Sequence, residues 1–231
     1  LRVQTLNYGA SLFEVYHKKK KINLILNLGS KENYQYKHAY VGSTCGRYAG
    51  RISNSKFKIG KKKFTLNANE GKNMLHGGKI GFSILPWRKL SQTKDKIIYQ
   101  LHSADNDQGF PGHLVVNCTY QLTNNFLNIK YDYRSNKNTH VNLTNHSYWN
   151  LEKNKKKMIY NHELKLNSCK YLQINKNLIP TGRFKNVKKT IYDFLNFENI
   201  GKKLDCFKNK KLNIKFKGFD TTFIVNKNTR N

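Results

Sequence analysis

The chain has 231 residues and a formal net charge of +30, but only seven of its 43 basic residues are arginine. Lysine is a hydrated point charge, and the lysine runs at 18–21, 61–63, 155–157 and 208–211 lie between apolar segments, as solvated loops do. We therefore expect no specific nucleic-acid partner, and the absence of a long apolar run or of a signal-peptide pattern predicts a soluble protein without a membrane partner.

Most apolar segments alternate with period two, which is typical of β-strands. In chain order, strands are predicted at 22–28, 97–102, 114–123, 126–134 and 212–219. The pair Asn124–Asn125 separates two of them and predicts an antiparallel hairpin, because asparagine accepts positive φ at modest cost. Residues 190–204 predict a short helix or turn, and no linker divides the chain. We expect one all-β domain of sandwich type over residues 1–231.

The four cysteines are far apart and contain no Cys-x-x-Cys pair. This spacing argues against a zinc ribbon and against a dense disulfide framework. A reducing compartment fits best, so we expect a cytoplasmic protein.

Four short stretches contain residues that could do chemistry. The segment GRYAGRIS (46–53) contains Arg47 and Arg51, which suit planar recognition of hydroxyls or carboxylates but equally suit a structural ion pair. His76 precedes two glycines, a pattern that also describes a simple turn. Asp220 lies in KGFDTTF, where an ordinary strand-edge aspartate would look the same.

The stretch LTNHSYWNL (143–151) is the fourth. With the residues just before it, as an extended strand, it directs His140, Asn142, Thr144, His146 and Tyr148 to one face and the intervening residues to the other. His146 is then either an imidazole satisfied by neighbouring hydroxyls and amides or a catalytic group.

Several motifs together resemble the aldose 1-epimerase (galactose mutarotase) family, in its order and approximate spacing. They are GRYAGR (46–51), LHGG with GF and Trp87 (75–87), SADNDQGFPGHLVVNCTYQLT (103–123), VNLTNHSYWNL (141–151), LIPTG (178–182) and GFD (218–220). The resemblance implies a galactose mutarotase-like β-supersandwich that binds a monosaccharide as a monomer or weak dimer. It also implies interconversion of the α and β anomers of free galactose or glucose, with no cofactor and no metal.

The resemblance also implies roles for individual residues. His146 is the candidate general acid, since an imidazole can give and recover a proton near neutral pH. His76 matches a histidine that hydrogen-bonds the sugar near its ring oxygen, Arg51 an arginine that contacts sugar hydroxyls, and Asp220 an aspartate that accepts from ring hydroxyls. The general base is unknown within the chain, because the family uses a glutamate near its carboxyl terminus, expected C-terminal to Asn231.

Two departures from the family pattern concern the substrate: Gly50 stands where asparagine is usual, and Thr221–Thr222 where a His-Asn pair is common. We also expect the chain to lack its C-terminal strands. Three alternatives therefore stay open: a sugar-binding relative that has lost the base, a hexose-6-phosphate 1-epimerase, and a nonspecific nucleic-acid binder that rests on charge alone.

Overall fold

The computed structural model describes residues 1–36, 39–124, 126–209 and 218–226. The chain divides into two compact units, Leu1–Lys153 and Asn154–Asn231. The single domain expected over residues 1–231 stays a prediction. Throughout the described ranges, no helix combines the length and the apolar character needed to cross a membrane.

The first unit consists mostly of short strands, with three longer strands of eight to ten residues. Its strands are β1 (Arg2–Leu6), β2 (Ser11–His17), β3 (Ile22–Asn23), β4 (Thr44–Cys45), β5 (Arg51–Ile52), β6 (Lys56–Ile59), β7 (Lys62–Thr65), β8 (Met74–Leu75), β9 (Arg88–Gln92), β10 (Lys96–Ser103), β11 (Leu114–Thr123), β12 (Phe126–Ser135) and β13 (Thr144–Asn145). Short 3₁₀ helices occur at Glu32–Gln35, Ser53–Ser55, Phe82–Ile84 and Asp107–Gly109.

Two sheets dominate this unit. One has the strand order β1-β2-β3 and the other β12-β11-β10-β9, while β13-β4, β5-β8 and β6-β7 form two-stranded ladders. The predicted hairpin is confirmed: β11 and β12 pair antiparallel from Leu114↔Ser135 to Thr123↔Phe126. Asn124 has φ +52° at its turn, and Asn125 lies outside the described residues. The strand predicted at 22–28 is shorter than expected, because β3 ends at Asn23.

Both large sheets contribute to one apolar core. Leu12 and Val15 come from β2, Tyr99 from β10, and Leu114 and Val116 from β11. Buried residues alternate along β11, as the period-two pattern predicts. Burying each such side chain stabilises the fold by about 1.5–3 kcal/mol. Because two sheets share this core, the all-β sandwich expected from the sequence is confirmed in architecture.

The second unit contains β14 (Glu163–Leu164), β15 (Lys170–Ile174), β16 (Pro180–Asn186), β17 (Glu198–Asn199), β18 (Phe223–Ile224) and one α-helix, α1 (Ile200–Asn209), with a 3₁₀ helix at Ile159–Asn161. Its sheets have the orders β16-β15-β18 and β14-β17. The helix predicted within 190–204 exists but begins only at Ile200. Most of the strand predicted at 212–219 lies outside the described residues.

Candidate active site

His146 directly follows β13, which pairs antiparallel with β4. Its backbone amide donates to the carbonyl oxygen of Ser43 at 2.9 Å, and its own carbonyl accepts from the amide of Gly42 at 2.9 Å. These bonds continue the pairing past the end of β13. The backbone of His146 is therefore fixed by the β4 side of the unit.

The predicted alternation of side chains is observed in the residues that precede His146. Leu143 packs against the main core. The side-chain amide of Asn145 donates to the carbonyl of Gly42 at 2.9 Å and to the hydroxyl of Tyr120 at 3.1 Å. Since neighbouring residues of an extended strand face opposite ways, His146 is directed away from this core.

Four rings meet on the side to which His146 points. The ring centroids of His76 and His146 are 5.2 Å apart at an interplanar angle of 85°. Tyr40 lies 4.5 Å from His76 and 5.8 Å from His146, and Tyr148 lies 5.0 Å from His146. The structure thus brings together the two histidines that the sequence singled out, and both are only half-buried.

The short ladder between β5 and β8 positions His76. Arg51 pairs with Leu75, so Gly50 and His76 come next to each other where the two strands end. The amide of His76 donates to the carbonyl of Gly50, and the amide of Gly50 donates to Nδ1 of His76, both at 3.1 Å. In neutral imidazole the nitrogen that accepts carries no proton, so the proton of His76 resides on Nε2.

The glycine after His76 is required by close packing. His76 has φ +51° and Gly77 φ +89°. A Cβ on Gly77 would lie 1.8 Å from the carbonyl oxygen of Gly46. Only glycine can accept both this conformation and this approach. The His-Gly-Gly sequence is therefore a tight turn, and the turn holds the imidazole at the cluster.

Burial and neighbouring charge keep His76 neutral. Burial is the main cause that lowers its pKa from the usual 6.5 to about 4, with further lowering by His146 and Arg51 and an opposing effect of Glu70. At neutral pH this imidazole is neutral and donates a hydrogen bond through Nε2. It is not the imidazolium ion, so it cannot serve as the general acid.

Arg51 forms a two-pronged ion pair with Glu70. Its Nε and Nη2 donate to Oε2 and Oε1 of the carboxylate at 2.6 Å and 2.9 Å. The arginine side chain is 15% exposed and the glutamate 38%, so the pair lies at the edge of the cluster. The structural ion pair considered for this arginine is therefore present, and its predicted contact with sugar hydroxyls stays a prediction.

Arg47 has a structural role. Its side chain is buried at 2% exposure. The guanidinium donates to four backbone carbonyls and to one hydroxyl, those of Pro111, Gly112, Ser103 and Ala104 and the Oγ of Ser103. It therefore ties residues 103–112 to the rest of the unit through Nη1 and Nη2, while its buried Nε has no hydrogen-bond partner among the described residues.

Asp220 lies in the second unit and is exposed. Its predicted contact with sugar hydroxyls stays a prediction. Two glutamates in the same unit lie on short strands: Glu163 is in β14 and Glu198 in β17, where it approaches Lys203 at 3.7 Å. The general base predicted from the family resemblance is assigned to neither of them.

Two residues of this site, Tyr40 and Glu70, carry no signal in the sequence and reach the cluster only through the fold. The alternation of LTNHSYWNL places Tyr148 on the face of His146, as the ring contact between them shows. A cleft of about 930 Å³ in the same unit lies elsewhere, against β1 and β10, and none of the histidines lines it.

Comparison with known proteins adds independent findings. The model of the family described as aldose 1-epimerase matches residues 1–231. The chain is 37% identical over 233 residues to an aldose 1-epimerase of Haemophilus influenzae, covering 98% of this chain and 66% of that protein. It is 34% identical over 230 residues to a galactose mutarotase of Sus scrofa, covering 97% and 64%.

Solved structures agree in fold. A galactose 1-epimerase from Lactobacillus acidophilus superposes with a TM-score of 0.85 at 32% identity, covering 98% of this chain and 67% of that one. An aldose epimerase homologue from C. elegans superposes with a TM-score of 0.86 at 25% identity, covering 98% and 69%. The chain thus spans somewhat less than two thirds of the length of the two relatives compared above.

Proposed function

The chain belongs to the aldose 1-epimerase family, and we propose that it interconverts the α and β anomers of a free aldose such as galactose or glucose. The observation that carries this proposal is the pair of imidazoles, His76 and His146, with ring centroids 5.2 Å apart. One of them is held neutral, so the two can take different parts in the same reaction.

Ring opening requires two proton transfers. A base takes the proton of the anomeric hydroxyl while the bond between C1 and the ring oxygen breaks, which leaves an aldehyde at C1. An acid delivers a proton to the ring oxygen as it departs. After rotation about the C1–C2 bond, the reverse transfers close the ring on the other face. Each well-placed transfer contributes about 10²–10⁴ in rate.

We assign the acid role to His146. His76 is unsuited to that role at neutral pH, because burial lowers its pKa to about 4. Its Nε2–H can instead donate to the ring oxygen region of the sugar and stabilise charge that develops there. The base stays the glutamate that the family resemblance implies.

Arg51 and Asp220 complete the proposal as sugar-binding residues. Arg51 is oriented by its two-pronged bond to Glu70, which reduces the entropy lost when it binds a hydroxyl. Asp220 is exposed, and a carboxylate accepts from vicinal hydroxyls. Holding the hexose in one orientation lets both proton transfers occur without a further search.

Polarimetry on freshly dissolved α-galactose and α-glucose tests the proposal. The whole protein is expected to accelerate the change of rotation over buffer, and His146→Ala is expected to lower kcat by about 10²–10⁴. His102→Ala is the matched control, because His102 is an exposed histidine that bonds Gln100 on β10. A wild-type rate equal to that of buffer, or an alanine variant at position 146 that keeps most of its activity, would reject the proposal.

Two other readouts separate the alternatives. A faster reaction with glucose 6-phosphate than with glucose would assign the protein to phosphorylated hexoses. Calorimetric binding of galactose without any acceleration would indicate a sugar-binding relative.

We propose that the protein is cytoplasmic and that its partner is a monosaccharide, with no specific nucleic-acid partner and no membrane partner. We propose a monomer or weak dimer as its oligomeric state. The four cysteines, all within the described part of the chain, are free thiols. Burial raises the pKa of Cys45 and Cys118 to about 12, which keeps these two protonated and unreactive. Free thiols are typical of a reducing compartment. Sedimentation velocity measures the oligomeric state.

A further inference from the structure

We propose that Tyr40 is a positioning residue for the proposed epimerase reaction, whose aromatic ring holds the imidazoles of His76 and His146 in their working arrangement. The inference rests on the proposed function for its catalytic consequence. Its structural content, the placement and protonation of the two histidines, can be measured without any sugar.

The three rings form a triangle. Tyr40 lies 4.5 Å from His76 and 5.8 Å from His146, and the two imidazoles are 5.2 Å from each other. Aromatic rings at such centroid distances are in packing contact. Because Tyr40 contacts both imidazoles, moving it changes both their separation and their exposure to water.

The backbone holds Tyr40 at this position from two directions. The amide of Ser43 donates to the carbonyl of Tyr40 at 3.1 Å, and the carbonyl of Ser43 accepts from the amide of His146 at 2.9 Å. On the other side, the hydroxyl of Tyr148 donates to the carbonyl of Ala39 at 3.0 Å. The segment 39–43 is therefore tied to the same stretch of chain that carries the candidate acid.

Tyr40 adopts an unusual backbone conformation to reach the cluster. Its φ is +60°, a value that is uncommon and costly for a bulky residue. Such a conformation persists only where surrounding contacts impose it, and residues of this kind concentrate at functional sites. Here the surrounding contacts are the hydrogen bond between Ser43 and Tyr40, the bond from Tyr148 to the neighbouring Ala39, and the packing of the Tyr40 ring against two imidazoles.

The ring of Tyr40 affects the protonation of His76. Burial is the first cause of the low pKa of His76, and Tyr40 is its nearest ring neighbour among those described. The other charged or titratable groups acting on His76 are His146, Arg51 and Glu70. Removing the tyrosine ring would admit water and raise the pKa of His76 towards its usual value. The two imidazoles would also lose the ring that fixes their separation, so they would meet the sugar less often in the productive arrangement.

The decisive experiment compares three variants of the whole protein. Tyr40→Phe keeps the ring, Tyr40→Leu removes it, and Tyr36→Leu is the matched control because Tyr36 is 69% exposed on the same segment. The ¹⁵N NMR titration of the imidazoles reports the pKa and tautomer of His76. Polarimetry reports kcat and KM.

The leucine variant is expected to raise the pKa of His76 from about 4 by about one pH unit or more and to lower kcat by about tenfold, with KM changed less. The phenylalanine variant and the Tyr36→Leu control should stay within about twofold of the wild type in kcat. Unchanged His76 titration in the leucine variant would overturn the proposal, and so would equal damage by phenylalanine and leucine.

A folding defect in the leucine variant does not remove the test. Tyr40→Asn also lacks the ring and tolerates positive φ, so it is expected to reproduce the leucine result with less backbone strain. If the His76 titration shifts as expected while wild-type protein shows no epimerase activity, the proposed function fails and the positioning role of Tyr40 stands.

Discussion

Protonation of His76 should make the stability of the protein depend on pH in a defined window. Its pKa in the folded protein is lowered from 6.5 to about 4, first by burial. Between these two values the unfolded chain binds a proton that the folded protein excludes, so stability is fully present above about pH 6.5 and is lost as the pH falls towards 4. At about 1.4 kcal/mol per pH unit, the loss attributable to His76 is about 3 kcal/mol.

Urea unfolding at several pH values from 7.5 to 4 measures this loss against His76→Asn. Asparagine suits φ +51°, and its side-chain oxygen can accept from the Gly50 amide as Nδ1 does. Subtracting the two pH profiles removes the titration of all other groups. Profiles that run parallel within about 0.5 kcal/mol would refute the reasoning, because they would show that His76 is protonated as easily in the folded protein as in the unfolded chain.

Two further predictions concern the arginines. Arg47→Met should lower the free energy of unfolding, measured in urea, by about 3–5 kcal/mol. The reason is that four carbonyls that accept from the buried guanidinium lose their donor. A loss below about 1 kcal/mol would contradict the structural role of Arg47. Glu70→Gln should raise KM for galactose about fivefold with little change in kcat, since it weakens the partly exposed ion pair that orients Arg51. An unchanged KM would show that Arg51 does not depend on Glu70 for its orientation.

The fold class was accessible from the sequence because strand periodicity is a local property. Buried and half-buried residues alternate along β11 as the pattern predicts, and the hairpin to β12 follows from two strands separated by two asparagines. The helix was placed less well: α1 begins at Ile200, at the end of the segment that predicted it. The preceding segment packs Tyr192 into the core of the second unit instead, a tertiary contact that local propensity does not encode.

The site was accessible in part, and for a different reason. The motifs around His76, His146 and Arg51 resemble a family whose chemistry explains their residue types. The residue types alone did not distinguish Arg47 from Arg51, because both are arginines four positions apart in one motif, and only the family resemblance favoured Arg51. Burial decides it: the first is 2% exposed and bonded to backbone carbonyls, whereas the second pairs with Glu70 at the edge of the ring cluster.

By itself, then, the sequence determined that the chain forms alternating strands, which family it resembles and which histidines are candidates for chemistry. Only the tertiary structure decided that His76 is neutral with its proton on Nε2, and that Tyr40 contacts both imidazoles. The physical reason is range. A strand is encoded by residues two positions apart, whereas the exposure and partners of a side chain depend on segments that are distant in the chain and meet only when the core packs.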